Sequence, residues 1–446
     1  MILAVVIIAF SLVIFASIKA DMNILCKKIL IMYLIFIGSI LCISSLNPVG
    51  LYDVSTYTYM LWIINALSFA LAFLVLSKLY IKRENAQILR GDIEYKKIFN
   101  SKILFAIEII EMIFLSYYAI KYRIIIKNIE HSQIRIARYT ILFDSAFETL
   151  FYNYIIGGIL AITTIMFVIM LLEKDYKNPT IWVSIINILL YTSIGFGRMT
   201  IFSVAMYFIL GLILSNKKGL FKKKQLIKYV IFSFLIFILF VGMICIRMYN
   251  SNQSLLKNIK IAISNQCKQC FEYFLGGFRM LDNFVNNGFA EFNKHTLGRA
   301  TLAGIDEVIL YFPKGLGFEI NSFNNLASDI MSTTHRVGSN TDYFNAFYTC
   351  VMNYYLDFGL IGVILFPIMH AALIVYIVKR YLDGKGGEFS KITLYYVIGN
   401  LMFSVLKWNY QGGSNVFVLI VLIVIMEIYN KFNCRKEKQY ENSLDS

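Results

Sequence analysis

At 446 residues, 58% of them hydrophobic and only 15% charged, the chain is too apolar for a water-soluble protein, in which about 25% of residues carry charge. A formal net charge of +15 invites a nucleic-acid reading, but most Lys and Arg residues sit in alternate loops between apolar runs, which is the mark of membrane topology. Composition therefore excludes a soluble enzyme and a nucleic-acid binder, and predicts an all-α polytopic membrane protein in contact with the lipid bilayer.

About eleven runs of roughly 16–22 apolar residues, near the length that crosses a hydrocarbon core, follow in chain order: 1–18, 29–47, 56–77, 103–120, 151–172, 181–196, 200–215, 229–246, 358–378, 392–406 and 415–430. No basic segment precedes the first run and no A-x-A-like site follows it, so a retained first span is expected. The basic loops around Lys27, Lys78–Lys102, Lys174, Lys217–Lys228 and Lys379–Lys391, with the tail from Lys431, are assigned to the cytoplasm. This puts the N-terminus outside and the C-terminus in the cytoplasm.

One segment, 247–357, breaks the pattern between spans 8 and 9 and is expected to face outward. The whole chain, 1–446, then reads as a single membrane domain with one large external loop. Within that loop, Ser254 to Phe274 alternates Leu255, Ile259 and Ile263 with Lys257, Lys260 and Lys268, the pattern of an amphipathic helix lying in the membrane interface. Gly276 to Gly338 reads as loop with short helical pieces, and Asn345 to Asp357 leads into the ninth span near the outer surface. Cys267 and Cys270 form a CxxC without a second pair or a paired histidine, so neither a metal site nor a cofactor is expected.

Arginines on the outward side run against the topological bias. Arg198 follows Gly195-Phe196-Gly197 between two short spans, where a tight turn and a helix start both favour an anion. Its guanidinium can grip a phosphate bidentately. Arg279 lies three residues before Asp282, so a local ion pair competes with anion binding. Arg123, Arg135 and Arg138 form a third cationic group, with a lipid-headgroup surface as its alternative. Three such groups converging would build a diphosphate site. Among outward acid–base candidates, His335 and Asp342 stand out because they precede the return to the membrane, with reach to a substrate hydroxyl as the requirement. Glu108 and Glu111, one turn apart inside a span, are costly there and stand open between an ion pair with Lys102 or an arginine and a functional role. His370, alone on an apolar span, reads as satisfied by a neighbour.

These residues carry a resemblance. Gly197-Arg198 between short spans, Tyr273-Phe274 with Gly276-Gly277-Phe278, and Asn345-Ala346-Phe347-Tyr348-Thr349 leading to Tyr354-Tyr355-Leu356-Asp357-Phe358-Gly359-Leu360-Ile361-Gly362 are similar to the Wzy-type oligosaccharide repeat-unit polymerases. The resemblance implies a GT-C-like, metal-independent glycosyltransferase at the outer face of a bacterial cytoplasmic membrane. It would transfer a growing glycan from undecaprenyl diphosphate onto a sugar hydroxyl of the next lipid-linked unit, giving O-antigen or capsular polysaccharide. By that analogy Arg198 and Arg279 bind diphosphate and the Asn345–Asp357 stretch, with Asn345, Tyr348, Tyr354 and Asp357, shapes the sugar site. Arg135 and Arg138 join the diphosphate group from the charge pattern, and His335 or Asp342 is the base offered by the residues, since the resemblance supplies none. Undecaprenyl-diphosphate-linked oligosaccharides, and a chain-length regulator protein, are the partners implied. The alternatives are an O-antigen ligase, a lipid-linked oligosaccharide flippase with no chemistry, and a membrane acyltransferase built on His370.

Overall fold

A computed structural model describes residues 2–81, 102–127, 129, 141–194, 199–214, 254–288, 294–327, 335–338, 343–344 and 348–444, with scattered helical residues between 227 and 242. The fold is helical throughout, apart from one short antiparallel ladder and an isolated bridge among the described residues. Among the described residues, six helices are long and apolar enough to cross a membrane, and shorter apolar ones accompany them. The protein is thus a multi-pass membrane protein. The expected span 229–246 lies largely outside the described residues.

Two compact units make up the chain. The first joins residues 1–91 to 270–446 and the second comprises 92–269. In the first unit, α1 (Ile2–Lys19), α2 (Ile24–Leu46) and α3 (Thr56–Tyr80) form an N-terminal group. The side chain of Asn23 caps α2 and that of Ser55 caps α3, each accepting from a backbone N–H of its first turn. Along α3, Tyr59, Trp62, Ala66, Phe69 and Phe73 are buried at spacings of three and four, the period of one helix face.

The second unit holds α4 (Lys102–Ile126), α5 (Ala146–Leu150), α6 (Gly157–Glu173), α7 (Pro179–Ser193) and α8 (Met199–Leu214). A π-helical turn, Phe151–Ile156, links α5 to α6. α9 (Leu255–Asn283) begins in this unit and ends in the first. The first unit continues with α10 (Ala303–Gly315), α11 (Phe323–Leu326), the ladder β1 (His335–Arg336) with β2 (Tyr343–Phe344), then α12 (Cys350–Leu382), α13 (Gly387–Phe403) and α14 (Gly413–Leu444).

α12 packs along α3 more extensively than any other pair in the unit. It is broken at Phe358 (φ −143°, ψ 21°) and Gly359 (φ 59°, ψ −139°), a conformation that glycine adopts without Cβ strain. The break leaves a short arm, 350–357, ahead of a long apolar arm from Leu360. It falls where the sequence pattern starts the ninth span. On the long arm Ile361 is 70% exposed and Leu360, Ile364, Leu365 and Met369 are exposed beside it. Such an apolar outer face suits lipid contact.

Candidate functional site

Residues 270–288 were expected to pass from helix into loop at Gly276. Instead α9 runs on to Asn283, followed by a π-helical turn, Phe284–Gly288. The reason is packing: a Cβ on Gly277 would stand 3.1 Å from Thr349 Cγ2 and 3.5 Å from the Val405 carbonyl oxygen. Glycine is used here for close approach rather than for a turn. Phe278 next to it is buried between the rings of Tyr59 and Trp62, at centroid separations of 6.5 and 5.4 Å.

Arg279 follows on the same helix and is only 5% exposed. Its Nε donates to the Tyr52 carbonyl (2.9 Å), one terminal nitrogen to Ser44 Oγ (2.7 Å) and the Leu275 carbonyl (3.1 Å), and the other to the Ser44 carbonyl (3.2 Å). Burial pulls the guanidinium pKa down, while Tyr59, Asp53 and Asp282 hold it up. The local pairing with Asp282 is not what this geometry builds. Asp282 Oδ1 accepts from the Ser55 amide (3.1 Å), the Ser55 hydroxyl and Thr58 Oγ1 (2.7 Å), an acid at the positive start of α3. Arg279 and Asp282 therefore tie α9 to the 44–58 region through two separate sets of bonds.

The peptide of Tyr52 links this cluster to a candidate base. While its carbonyl accepts from Arg279, its N–H donates to the Val337 carbonyl at 2.8 Å, and Leu51 bridges to Gly338. The strand bearing His335 thus lies beside the loop that Arg279 holds. Its register pairs His335 with Phe344 and Arg336 with Tyr343. Asp342 and Asn345 lie outside the described residues, as do Arg198, Arg135 and Arg138.

Asp357 ends the short arm of α12 and is fully buried. Its Oδ1 accepts from Thr296 Oγ1 (2.6 Å) and the Ala300 amide (2.9 Å), and its Oδ2 from the Thr301 amide (2.7 Å). Asn353 Nδ2 adds a bond to the Ala300 carbonyl at 2.8 Å. One carboxylate thereby organises the turn that leads into α10, so Asp357 holds backbone where the sequence had suggested contact with sugar. Gly362, one turn on, has no room for a side chain, since a Cβ would lie 2.0 Å from the Tyr354 carbonyl oxygen.

Tyr348 and Tyr354, expected at the sugar site, are buried among other aromatic rings. Tyr348 meets Phe284 edge-on at 6.2 Å, and Tyr354 stacks on Phe366 at 5.3 Å with Trp408 edge-on at 5.2 Å. Tyr57 and Tyr355, paired edge-on at 6.5 Å, are the less buried aromatic couple nearby.

Beside Tyr354 opens an apolar cavity of about 260 Å³, with Leu302, Ile305, Phe366, His370, Trp408 and Val416 among its walls. That is just under the roughly 300–1,000 Å³ of small-molecule pockets, a size for a length of hydrocarbon. His370 stands within 6.3 Å of the rings of Phe69, Trp408 and Tyr410, and its Nε2 has no hydrogen-bond partner among the described residues. The Thr301 hydroxyl on the same wall is likewise unpartnered.

Sequence reasoning missed the 404–412 loop, which supplies Trp408 and Tyr410 to this cavity. Trp408 Nε1 donates to the Thr301 carbonyl at 2.6 Å, and burial lowers the pKa of neighbouring Lys407. The available signal was an aromatic pair beside the only cation between two late spans. No family model matches the chain, and no curated protein or solved structure matches it either.

Proposed function

We propose that this protein is a Wzy-type polymerase that joins polyprenyl-diphosphate-linked oligosaccharide units at the outer face of the bacterial cytoplasmic membrane. The observation that supports it most is a convergence. The described segments that carry the resemblance, around Gly277–Phe278 and Tyr354–Gly362, both pack against the 405–408 stretch, whose Trp408 also lines an apolar cavity suited to a lipid chain. In this reading the six long helices, the three shorter apolar ones, α13 and the helical residues between 227 and 242 account for eleven crossings of a GT-C-like fold, with the N-terminus outside.

The acceptor hydroxyl attacks the anomeric carbon of the donor glycan, the new C–O bond forms, and the bond to the lipid diphosphate breaks with its electron pair leaving on phosphate. His335 or Asp342 takes the hydroxyl proton. Arg198, Arg135 and Arg138 are assigned to the charge that develops on the departing diphosphate. Arg279, with most of its donors engaged by protein acceptors, holds the Tyr52 loop and the His335 strand in place, and Asp357 does the same for the 296–301 turn. A chain-length regulator is the protein partner this reading implies.

The test is a size-resolved profile of surface glycan from a strain lacking the gene. Core bearing a single repeat unit is the expected result. Lipid-linked polymer that never reaches core would instead indicate a ligase. Loss of every exported unit would indicate the flippase, a reading favoured by one feature, the buried carboxyl pair of α4.

A further inference from the structure

Glu108 and Glu111 lie one turn apart in the first half of α4, a membrane-length helix, and are 0% and 2% exposed. Counting at about 1.5 Å per residue, Glu108 stands roughly 9 Å into the helix from Lys102 and Glu111 one turn deeper. α7 packs against them. Ser184 Oγ donates to Glu108 Oε2 at 2.8 Å, and Asn187 Nδ2 donates to Glu111 Oε2 at 3.2 Å and to the Glu108 carbonyl at 3.1 Å. These bonds orient the amide so that its oxygen is left over. Asn187 is 0% exposed, and Asn187 Oδ1, Glu108 Oε1 and Glu111 Oε1 are all buried without a hydrogen-bond partner among the described residues.

Three buried oxygens without a donor, two of them on carboxyls, leave an excess of acceptors. Among the described residues the neighbours supply no positive charge. Among the described residues neither glutamate forms an ion pair, and the pairing with Lys102 or an arginine left open by the sequence is absent there. α7 carries no charged side chain, its one titratable group being Tyr191, which stacks on Tyr152 of the π turn. That turn adds only Tyr152 and Tyr154, and α6 adds only Glu173 at its far end. Two bare carboxylates in such a place would each cost several kcal/mol of desolvation, so something positive must neutralise them.

We propose that Glu108, Glu111, Asn187 and Ser184 form an intramembrane site for a monovalent cation, either a proton shared by the carboxyl pair or Na⁺ held by its oxygens. An all-oxygen donor set is the hard-ligand chemistry that both ions take. The site is independent of the glycan reading, since it uses residues of the other unit only.

The test uses the full-length protein in detergent, as wild type, Glu108→Gln, Glu111→Gln and Ser184→Ala. Melting temperature is measured against NaCl and against choline chloride, and the carboxyl C=O stretch is followed by infrared spectroscopy at neutral pH. A saturable stabilisation by NaCl alone, weakened at least about tenfold in apparent affinity by Glu111→Gln (1.4 kcal/mol), identifies Na⁺. A protonated-carboxyl band in the wild type, without Na⁺ dependence and lost in a Gln variant, identifies the proton. If either Gln variant fails to fold, Ser184→Ala carries the same comparison with the carboxyls intact. Ionised carboxyls with no Na⁺ dependence, or readouts that none of the three variants moves, overturn the proposal.

Discussion

Arg279→Ala is the substitution whose outcome the geometry specifies most fully. The guanidinium bridges Ser44, Tyr52 and Leu275. The Leu275 carbonyl lies one helical turn back, whereas the Ser44 and Tyr52 carbonyls depend on Arg279 as a long-range donor. A buried carbonyl left without a donor costs about 1–3 kcal/mol, so the two together put the loss at roughly 2–6 kcal/mol. With a melting shift on the order of 2–4 °C per kcal/mol for domains of 150–250 residues, the variant should melt at least about 4 °C lower. Arg279→Lys keeps the charge but not the fork, and should fall between the two. Fluorescence-detected size-exclusion of heated, detergent-solubilised protein measures this directly. An Arg279→Ala protein that melts with the wild type yet makes no polymer would refute the cross-link and return Arg279 to the substrate.

Asp357→Asn keeps one acceptor oxygen and should speed amide hydrogen exchange at Ala300 or Thr301 by about 10- to 100-fold, from the loss of one charge-assisted bond; unchanged exchange across 296–301 would contradict the role given to the carboxylate. Gly359→Ala should cost about 1–3 kcal/mol because of its positive φ, whereas Gly362→Ala should abolish accumulation of folded protein, its Cβ having 2.0 Å to the Tyr354 carbonyl; membrane levels by immunoblot separate the two. Thr301→Val removes a buried hydroxyl that has no partner and should melt at or above the wild type. Leu373→Trp, directed at the apolar cavity, should shorten or abolish surface polymer while folded protein still accumulates. Full-length polymer from that variant would detach the cavity from function.

The six long apolar helices were legible because lipid-facing helices are apolar over most of their surface, and hydropathy reads that without tertiary information. The start of the ninth span at Phe358 was legible for the same reason, and coincides with the break at Gly359. What escaped were contacts between distant segments. Gly276–Gly277 looks like a helix end in isolation, and only Thr349 and Val405, far along the chain, explain why glycine stays inside the helix. Asp357 resembles a substrate ligand until the turn at 296–301 appears on its carboxylate. Tyr348 and Tyr354 carry no local mark of burial, because an aromatic at an outer interface and an aromatic in a packed cluster have the same sequence neighbours. The 404–412 loop was overlooked because short loops between spans offer no periodicity to read.

The pairing of α3 with α12 has a consequence in time. About 270 residues separate the end of one helix from the start of the other, which at roughly 5–20 residues per second of synthesis is a wait of about 15–50 s. Throughout that interval Thr58, Asn65 and Ser77, polar residues that are buried in the finished protein, must reside in the bilayer without α12 beside them. The nascent N-terminal helices are therefore an early, incompletely packed intermediate. Chaperones and membrane proteases have their longest opportunity to act on this protein during that interval.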